Sequence, residues 1–559
     1  MQLDRVEILG FRGIKRLSLS FDEVTTLLGE NTWGKSSLLD ALCIALPING
    51  QLHQFEIEDF HVDYVLSQPQ TEQIQIITRW RTTTDNEHRN PRYRRLKPIW
   101  LDDSDTNTSN NKAKMFIYQI SASRVEHKVE TIYQFLDAQG QPMLIHDSDK
   151  LVIELSRIHP VIRLRDARRL HQYNGHTNQH YSKTQASDNK AEKRINNTYR
   201  RLLAMPGHVN KAELKSTLNA MQHLIEHYFS FQEHPNIHAR QQREHLFSAE
   251  HHSPDDQTSL LNLLKKNKNQ QSKLLLMGLL NAYLQAKGSS QISAMARPIL
   301  ILEDPEGRLH PTNLLKSWEL LQLIPMQKIL TTNSGILLSA VPLSSIRRLV
   351  RQSDKTAAFA IHDHLLNKDD LRRIGFHIRF HRPNALFARC WLLVEGETEV
   401  WLFNELAKIY GYNLAAEGVQ LVEFAQSGLK SLIKVAKALH IDWHVVVDGD
   451  PAGQKYAAAV RSQLDQDIEK HRLTELPDRD IEHFLYNNGF EEFFRSMVHI
   501  TANHPISDKK IVQRAVKKHA KPDLALGIVE YCEAHGIEKI PLLLRWILKR
   551  VLTMANGNT

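Results

Sequence analysis

Long hydrophobic runs are missing from this chain of 559 residues: nothing approaches the roughly 18 uninterrupted apolar residues that cross a bilayer. The first residues also lack the apolar core of a secretory leader. These two absences speak against a membrane protein and lead us to expect a soluble, cytoplasmic chain. Cysteine is scarce. Cys43, Cys390 and Cys532 lie far apart among apolar neighbours, which excludes a disulfide framework and a cysteine zinc site and fits reduced core thiols. Acidic residues are not in surplus either. Lys and Arg number 71 against 63 Asp and Glu, a formal charge of +8 with a pI near 9.1, so the average field favours a polyanionic partner. Histidine is plentiful, but where it is densest, at 234–256, it is scattered through a polar stretch without a ligand spacing. The remaining composition, 42% hydrophobic and 24% charged, is that of ordinary globular proteins, with length for roughly three or four domains.

The stretch Gly29-Glu30-Asn31-Thr32-Trp33-Gly34-Lys35-Ser36 reads G-x-x-x-x-G-K-S, the phosphate-binding loop of a nucleoside triphosphatase. Residues 24–28 before it have strand character, and 37–46 after it have helical periodicity that Pro47 stops. Glycines at 29 and 34 let backbone N–H groups curl around a phosphate. Lys35 then reaches the β- and γ-phosphates, and Ser36 offers a hydroxyl to Mg²⁺.

Upstream, residues 3–8 and 17–21 read as two strands that precede the loop. Alternation over 72–100 and 114–135 predicts more sheet, with a polar hairpin tract at 102–112 between. Residues 151–164 have apolar strand character, and 173–197 read as a polar connection. Helical periodicity over 198–231 predicts an inserted arm, and a further helix is expected over 272–286.

An apolar strand, residues 298–302, then runs into Glu303-Asp304-Pro305-Glu306. This is Walker B chemistry: a buried strand delivers an acid to Mg²⁺, and a second acid orients the attacking water. By position Glu303 serves the metal and Asp304 the water. A short strand at 327–332 ends in Thr332-Asn333-Ser334, where Asn333 can sense a γ-phosphate.

The last third repeats the strand-to-acid theme. Residues 391–394 form a strand that meets Glu395-Gly396-Glu397-Thr398-Glu399 ahead of an amphipathic helix over 400–410. A second βα unit, 419–440, passes through Ser427-Gly428. A third strand, 443–447, delivers Asp448-Gly449-Asp450. Strand tips of a parallel sheet share one edge, so Glu395, Asp448 and Asp450 are expected to face one another. Crowded carboxylates repel unless hard cations lie between them, which implies Mg²⁺ or Mn²⁺.

The phosphate loop, the Glu303 to Glu306 run with Leu309-His310-Pro311 behind it, and the Thr332-Asn333-Ser334 switch resemble the ABC-type ATPase head of the OLD (overcoming lysogenization defect) nucleases. The Glu395 and Asp448-x-Asp450 set resembles the Toprim domain that follows such heads. The resemblance implies an α/β architecture: an ABC-type, SMC/Rad50-like P-loop ATPase (1–165 and 258–385) with an inserted helical segment (166–257), then a Toprim nuclease domain with a C-terminal helical region (386–559). It implies ATP contacts at Gly29, Asn31, Gly34, Lys35, Ser36, Ser37, Glu303 and Asn333. Metal ligands are implied at Glu395, Glu399, Asp448, Asp450, Ser427 and Glu482, and beside ATP at Ser36 and Glu303. Asp304 and Lys521 join Glu395, Asp448 and Asp450 as catalytic candidates.

Two departures from the family pattern bear on rate. The usual switch His is Asn333 and the second acid is the shorter Asp304, so slow hydrolysis is expected. The signature segment, placed at 266–272, has no glycine. The activity expected is ATP-controlled, metal-dependent DNA cleavage by a homodimer. Basic runs at 79–95, 163–169, 372–382 and 509–521 favour DNA as partner. The alternative is a non-catalytic, ATP-switched DNA clamp.

Overall fold

The computed structural model describes residues 1–63, 71–84, 86–102, 113–125, 128–164, 188–204, 209–229, 270–288, 290–293, 295–307, 309–324, 326–362, 365–500 and 506–557. They divide into two compact units, one made of 1–341 and 345–358, the other of 342–344 and 359–559. None of the described helices is long and apolar enough to cross a membrane.

The first unit carries β1 (Gln2–Phe11), β2 (Ile14–Ser20), β3 (Val24–Leu28), β4 (Gln73–Arg81), β5 (Leu101–Asp102), β6 (Lys114–Val125), β7 (Lys128–Leu136), β8 (Val161–Leu164), β9 (Ile299–Glu303), β10 (Gln327–Thr331), β11 (Ile346–Arg351) and β12 (Thr356–Ala360). One sheet runs β5-β6-β4-β1-β2-β12-β11-β3-β10-β9-β8, with β7 beside β6. Hydrophobic pattern separates its two halves. In β1, Leu3, Val6 and Ile8 are buried while Glu7 and Leu9 face outward, the alternation of an antiparallel strand with one covered face. In β9 every residue is buried, and β10 is buried beyond its first residue. These continuous apolar strands pair in parallel, β3 with β10 and β10 with β9.

Three expectations need correction. Residues 151–164 hold two elements: the helix Ser148–Ile158, with Val152, Leu155 and Ile158 buried at a spacing of three, and then β8. The alternation read over 72–100 stops at Arg81, and Pro91–Ile99 coils into 3₁₀ turns because Pro91 and Pro98 have no N–H for a ladder. A helix, Asp188–Ala204, begins inside the stretch read as a polar connection. It packs against the helices Lys211–Phe229 and Gln270–Lys287. The hairpin tract at 103–112 and the histidine-dense stretch at 234–256 lie outside the described residues, as does most of the signature segment.

In the second unit β13 (Cys390–Val394), β14 (Val419–Glu423), β15 (Asp442–Val447) and β16 (Leu473–Glu475) form a fully parallel sheet of order β14-β13-β15-β16. The helices Glu397–Ile409, Leu429–Ala438 and Pro451–Arg461 connect its strands. Helices Lys521–His535 and Leu542–Ala555 share its core, where Leu392 and Val394 of β13 and Phe403 cluster with Ile528, Leu544 and Val551. Cys390 and Cys532 are buried free thiols and Cys43 is half-buried. Burial pushes the Cys532 thiol up to about 11.

Candidate functional site

In the head, β3 ends at Leu28 and the helix Lys35–Ala45 starts at Gly34, whose φ of 89° suits glycine. A Cβ on Gly34 would also come within 2.9 Å of Ile14 Cγ1. Lys35 is buried, and its Nζ donates to the Gly29 carbonyl at 2.5 Å and to Asn333 Oδ1 at 3.5 Å. Burial lowers its pKa, against the opposing pull of Asp304 and Glu306. Asn31 is exposed on the loop and Ser36 in the first turn of the helix, and Ser37 Oγ accepts from the Gly13 N–H at 3.2 Å.

The Walker B acids take separate roles. Glu303 is 8% exposed and receives Arg163 Nε at 2.8 Å; Arg163 also bonds Asp40, which takes Arg12 Nη1 at 2.5 Å. Arg12 in turn meets Asp59 at 2.9 Å. Although burial pushes the Asp59 carboxyl up, bonds from His53, the Glu56 N–H and Arg12 hold it at about 2. An ion-pair chain thus runs from β9 to the β1–β2 turn through helix Lys35–Ala45. Asp304 turns out of β9 with φ 44°, and Thr331 fixes it: Thr331 Oγ1 lies 3.0 Å from its Oδ1 and 3.1 Å from its N–H. Glu306 accepts from Thr332 Oγ1 at 3.0 Å and from the Asn333 N–H at 2.6 Å, so it sets the residue that faces Lys35. Sequence reading left Glu306 without a role; its signal was the third acid of the run, directly after Pro305.

In the second unit all four parallel strands end at one edge, and the acids follow them. Glu395 follows β13, Asp448 and Asp450 follow β15, and Asp480 and Glu482 follow β16. The loops are knit there by the Ala425 N–H donating to the Glu395 carbonyl at 3.2 Å. Burial, then the negative charges of Glu395, Glu399, Asp480 and Glu482, push the Asp448 carboxyl up to about 8. Gly453 makes this turn possible, because a Cβ there would stand 1.8 Å from the Asp448 carbonyl oxygen. Glu399 Oε2 accepts from the Gly396 N–H at 3.0 Å, and Asp450 Oδ1 from the Gly453 N–H at 2.7 Å, so both acids cap their own helices. Ser427 is buried and donates to the Glu423 carbonyl at 2.8 Å. Glu482 is buried in the first turn of Ile481–Leu485. Asp480, which sequence reading passed over, caps that helix and bonds His483 Nδ1 at 2.5 Å. Lys521 opens helix Lys521–His535, which packs on the helix bearing Glu399; its side chain is outside the described residues.

Among the described residues no three His, Cys, Asp or Glu side chains already stand as a metal-binding group. The chemistry of the set nevertheless fits a hard cation. Its donors are carboxylate and hydroxyl oxygens, and the burial and acidic neighbours that raise the Asp448 carboxyl are what a bound cation would offset.

A family model described as a protein of unknown function (DUF2813) matches residues 1–385, and one described as the Overcoming lysogenization defect protein-like TOPRIM domain matches 386–450. The uncharacterized protein YbjD of Escherichia coli (strain K12) is 41% identical over 559 residues, covering 100% of both chains. Among solved structures, the C-terminal region of the Burkholderia pseudomallei OLD protein is 14% identical with a TM-score of 0.26, covering 30% of this chain and 99% of that one. The SMC head domain from Thermotoga maritima is 11% identical with a TM-score of 0.31, covering 65% of this chain and 100% of that one.

Proposed function

This chain belongs to the DUF2813 family, and from that membership together with the match of residues 386–450 to the OLD-like Toprim domain we propose an ATP-controlled, metal-dependent DNA endonuclease. The observation that carries the proposal is the acid pocket of the second unit, where Glu395, Glu399, Asp480 and Glu482 gather about Asp448 and burial, then their charges, push its carboxyl up to about 8. Glu395, Asp448 and Glu482 would hold Mg²⁺ or Mn²⁺, with Glu399, Asp450 and Ser427 in support. When bound, a pair of such ions stabilises charge on the entering and leaving oxygens of a phosphodiester. The chain itself supplies orientation: the caps at Gly396 and Gly453 pin the two acid loops, and Asp480 fixes the start of the helix bearing Glu482. Asp448 is then the group that gives up a proton as positive charge enters. Lys521 is proposed to act beside the acids, from the helix that packs on the one bearing Glu399.

ATP is proposed as a conformational control, held by the loop 29–36 with Ser37, Glu303 and Asn333, with two protomers as the working unit. Turnover below about 1 s⁻¹, the slow end of the enzyme range, is expected, because Asp304 is a short acid tied to Thr331 and Asn333 stands in the switch. Lys35→Ala should abolish binding of a fluorescent ATP analogue. Fast turnover by the wild type would contradict the assignment of Asp304.

One observation favours a second reading, an ATP-switched DNA clamp without chemistry: Glu399 and Asp450 already cap helices, and no three acids stand as a metal group among the described residues. Plasmid nicking with Mg²⁺ or Mn²⁺ separates the two. Asp448→Ala and Glu395→Ala should lower cleavage by several orders of magnitude while DNA and ATP binding persist. Lys35→Ala should change regulation more than chemistry. No nicking by the wild type, or nicking by Asp448→Ala at the wild-type rate, which would trace the activity to a contaminant, would leave the clamp standing.

A further inference from the structure

The segment joining β12 to β13 has a composition and a surface that the nuclease reading does not use. Residues 368–382 carry Lys368, Arg372, Arg373, Arg379 and Arg382 against Asp369 and Asp370, with His377 and His381 interleaved. The helix Lys368–Ile374 runs directly into a π-helical turn, Gly375–His381, a widened geometry that recurs at functional positions. Burial of Ile374 and Ile378 anchors the segment, and its other face is open. Phe376 is 55% exposed and Leu371 44%. The Phe376 ring stands edge-on to His377 at 5.1 Å and to His381 at 4.7 Å, and the two imidazoles stack at 6.3 Å. Arg372 and Arg373 are exposed, and among the described residues neither has a carboxylate within ion-pair reach.

An exposed aromatic ring is a poor solvent surface, and cations without counter-charges call for an anionic partner. The two together match a base stacked on a ring with its phosphates on flanking arginines. Duplex DNA offers phosphates but hides its base faces, so the aromatic element favours an unpaired strand. The segment also reaches the acid edge. Arg382 Nη2 lies 3.5 Å from Glu423, the last residue of β14, and two residues later the Ala425 N–H bonds the Glu395 carbonyl.

We propose that residues 371–382 form a stacking platform for single-stranded DNA, with Phe376 under a base, Arg372 and Arg373 on phosphates, and Arg382 marking the end nearest the carboxylates. The favoured substrate is then DNA with an unpaired stretch, a conclusion that rests on the nuclease reading, whereas the platform itself does not. Its test is binding of a fluorescein-labelled twenty-nucleotide oligothymidylate to the full chain in EDTA, where no cleavage intervenes. Phe376→Ala should weaken binding by roughly five- to a hundredfold with the salt slope unchanged, as expected when one base no longer stacks. Arg372→Gln with Arg373→Gln should flatten the slope of log K against log[salt] by about 0.7 for each phosphate that is no longer neutralised. Phe376→Trp should restore affinity, and a blunt duplex of equal length should be indifferent to Phe376→Ala. Unchanged oligothymidylate affinity in Phe376→Ala overturns the platform, as does a shift of that variant from dimer to monomer on gel filtration, which would assign the ring to a second copy. Intact binding with no nicking by the wild type would leave the platform and remove the nuclease.

Discussion

Asp448 is where the chemistry of the second unit becomes measurable. An ordinary aspartate loses its proton near 3.8, and the folded chain holds this one to about 8 through burial and its four acidic neighbours. Between those values the folded state binds a proton the unfolded state has released, so stability falls as pH rises through the window. Asp448→Asn removes that liability. Its melting temperature in EDTA should exceed the wild-type value at pH 8, and the gap should close as pH falls toward 5. Metal affinity should move the opposite way: Mn²⁺ competes with the proton, so its apparent affinity in the wild type should rise about tenfold per pH unit and level off near 8. Calorimetric titration showing no pH dependence would mean that Asp448 is not a ligand. Glu306 makes a related point in the head, where an acid reaches Lys35 through the backbone of Asn333.

At the level of elements, β15 and β16 are joined by more than their ladder. His444 is fully buried in β15; its Nδ1–H donates to the His471 carbonyl at 2.8 Å, so its Nε2 must accept from Thr474 Oγ1 at 2.9 Å. Acceptance at Nε2 requires the neutral ring, and burial lowers its pKa to about 4. A histidine lowered in this way leaves stability intact above the unfolded value near 6.5, and stability is lost as pH falls below it. The loss amounts to about 2 kcal/mol by pH 5 for this one group. His159 in the first unit is built on the same plan, donating to the Arg297 carbonyl at 2.9 Å, with burial lowering its pKa to about 3. The His444 imidazole signals should stay in the neutral form at pH 5.5. A titration midpoint near 6.5 would show the ring to be solvated and the strand pair held by its ladder alone.

For the whole molecule, the formal charge of +8 and pI near 9.1 set the expected response to salt. If phosphates dominate binding, log K for plasmid DNA should fall linearly with log[salt], and Lys35→Ala should not alter that slope because Lys35 is buried and bonded to Gly29 and Asn333. A flat salt response measured by filter binding would set aside DNA as the partner.

The sequence by itself determined the features that rest on local chemistry. G-x-x-x-x-G-K-S reads as a phosphate-binding loop because its glycines, lysine and serine agree on that one chemistry. Continuous apolar strands such as 299–302 and 390–394 must be buried on both faces, and a parallel sheet brings the residues that follow its strands to one edge. Other features came from tertiary structure alone, because they join residues far apart in the chain. The Glu303–Arg163–Asp40–Arg12 chain links four separate segments, and Arg163 looks like one member of a basic run until β8 lies beside β9. Asp480 belongs with Asp448 only once β16 pairs with β15. The helix inside 151–164 escapes a sequence reading because apolar residues spaced by three can also fill a short strand, and packing decides between the two. The arginines at 372 and 373 look in sequence like any solvated basic face; exposure of Phe376 among stacked imidazoles gives that face a chemistry, and side-chain exposure is a property that only the packed chain has.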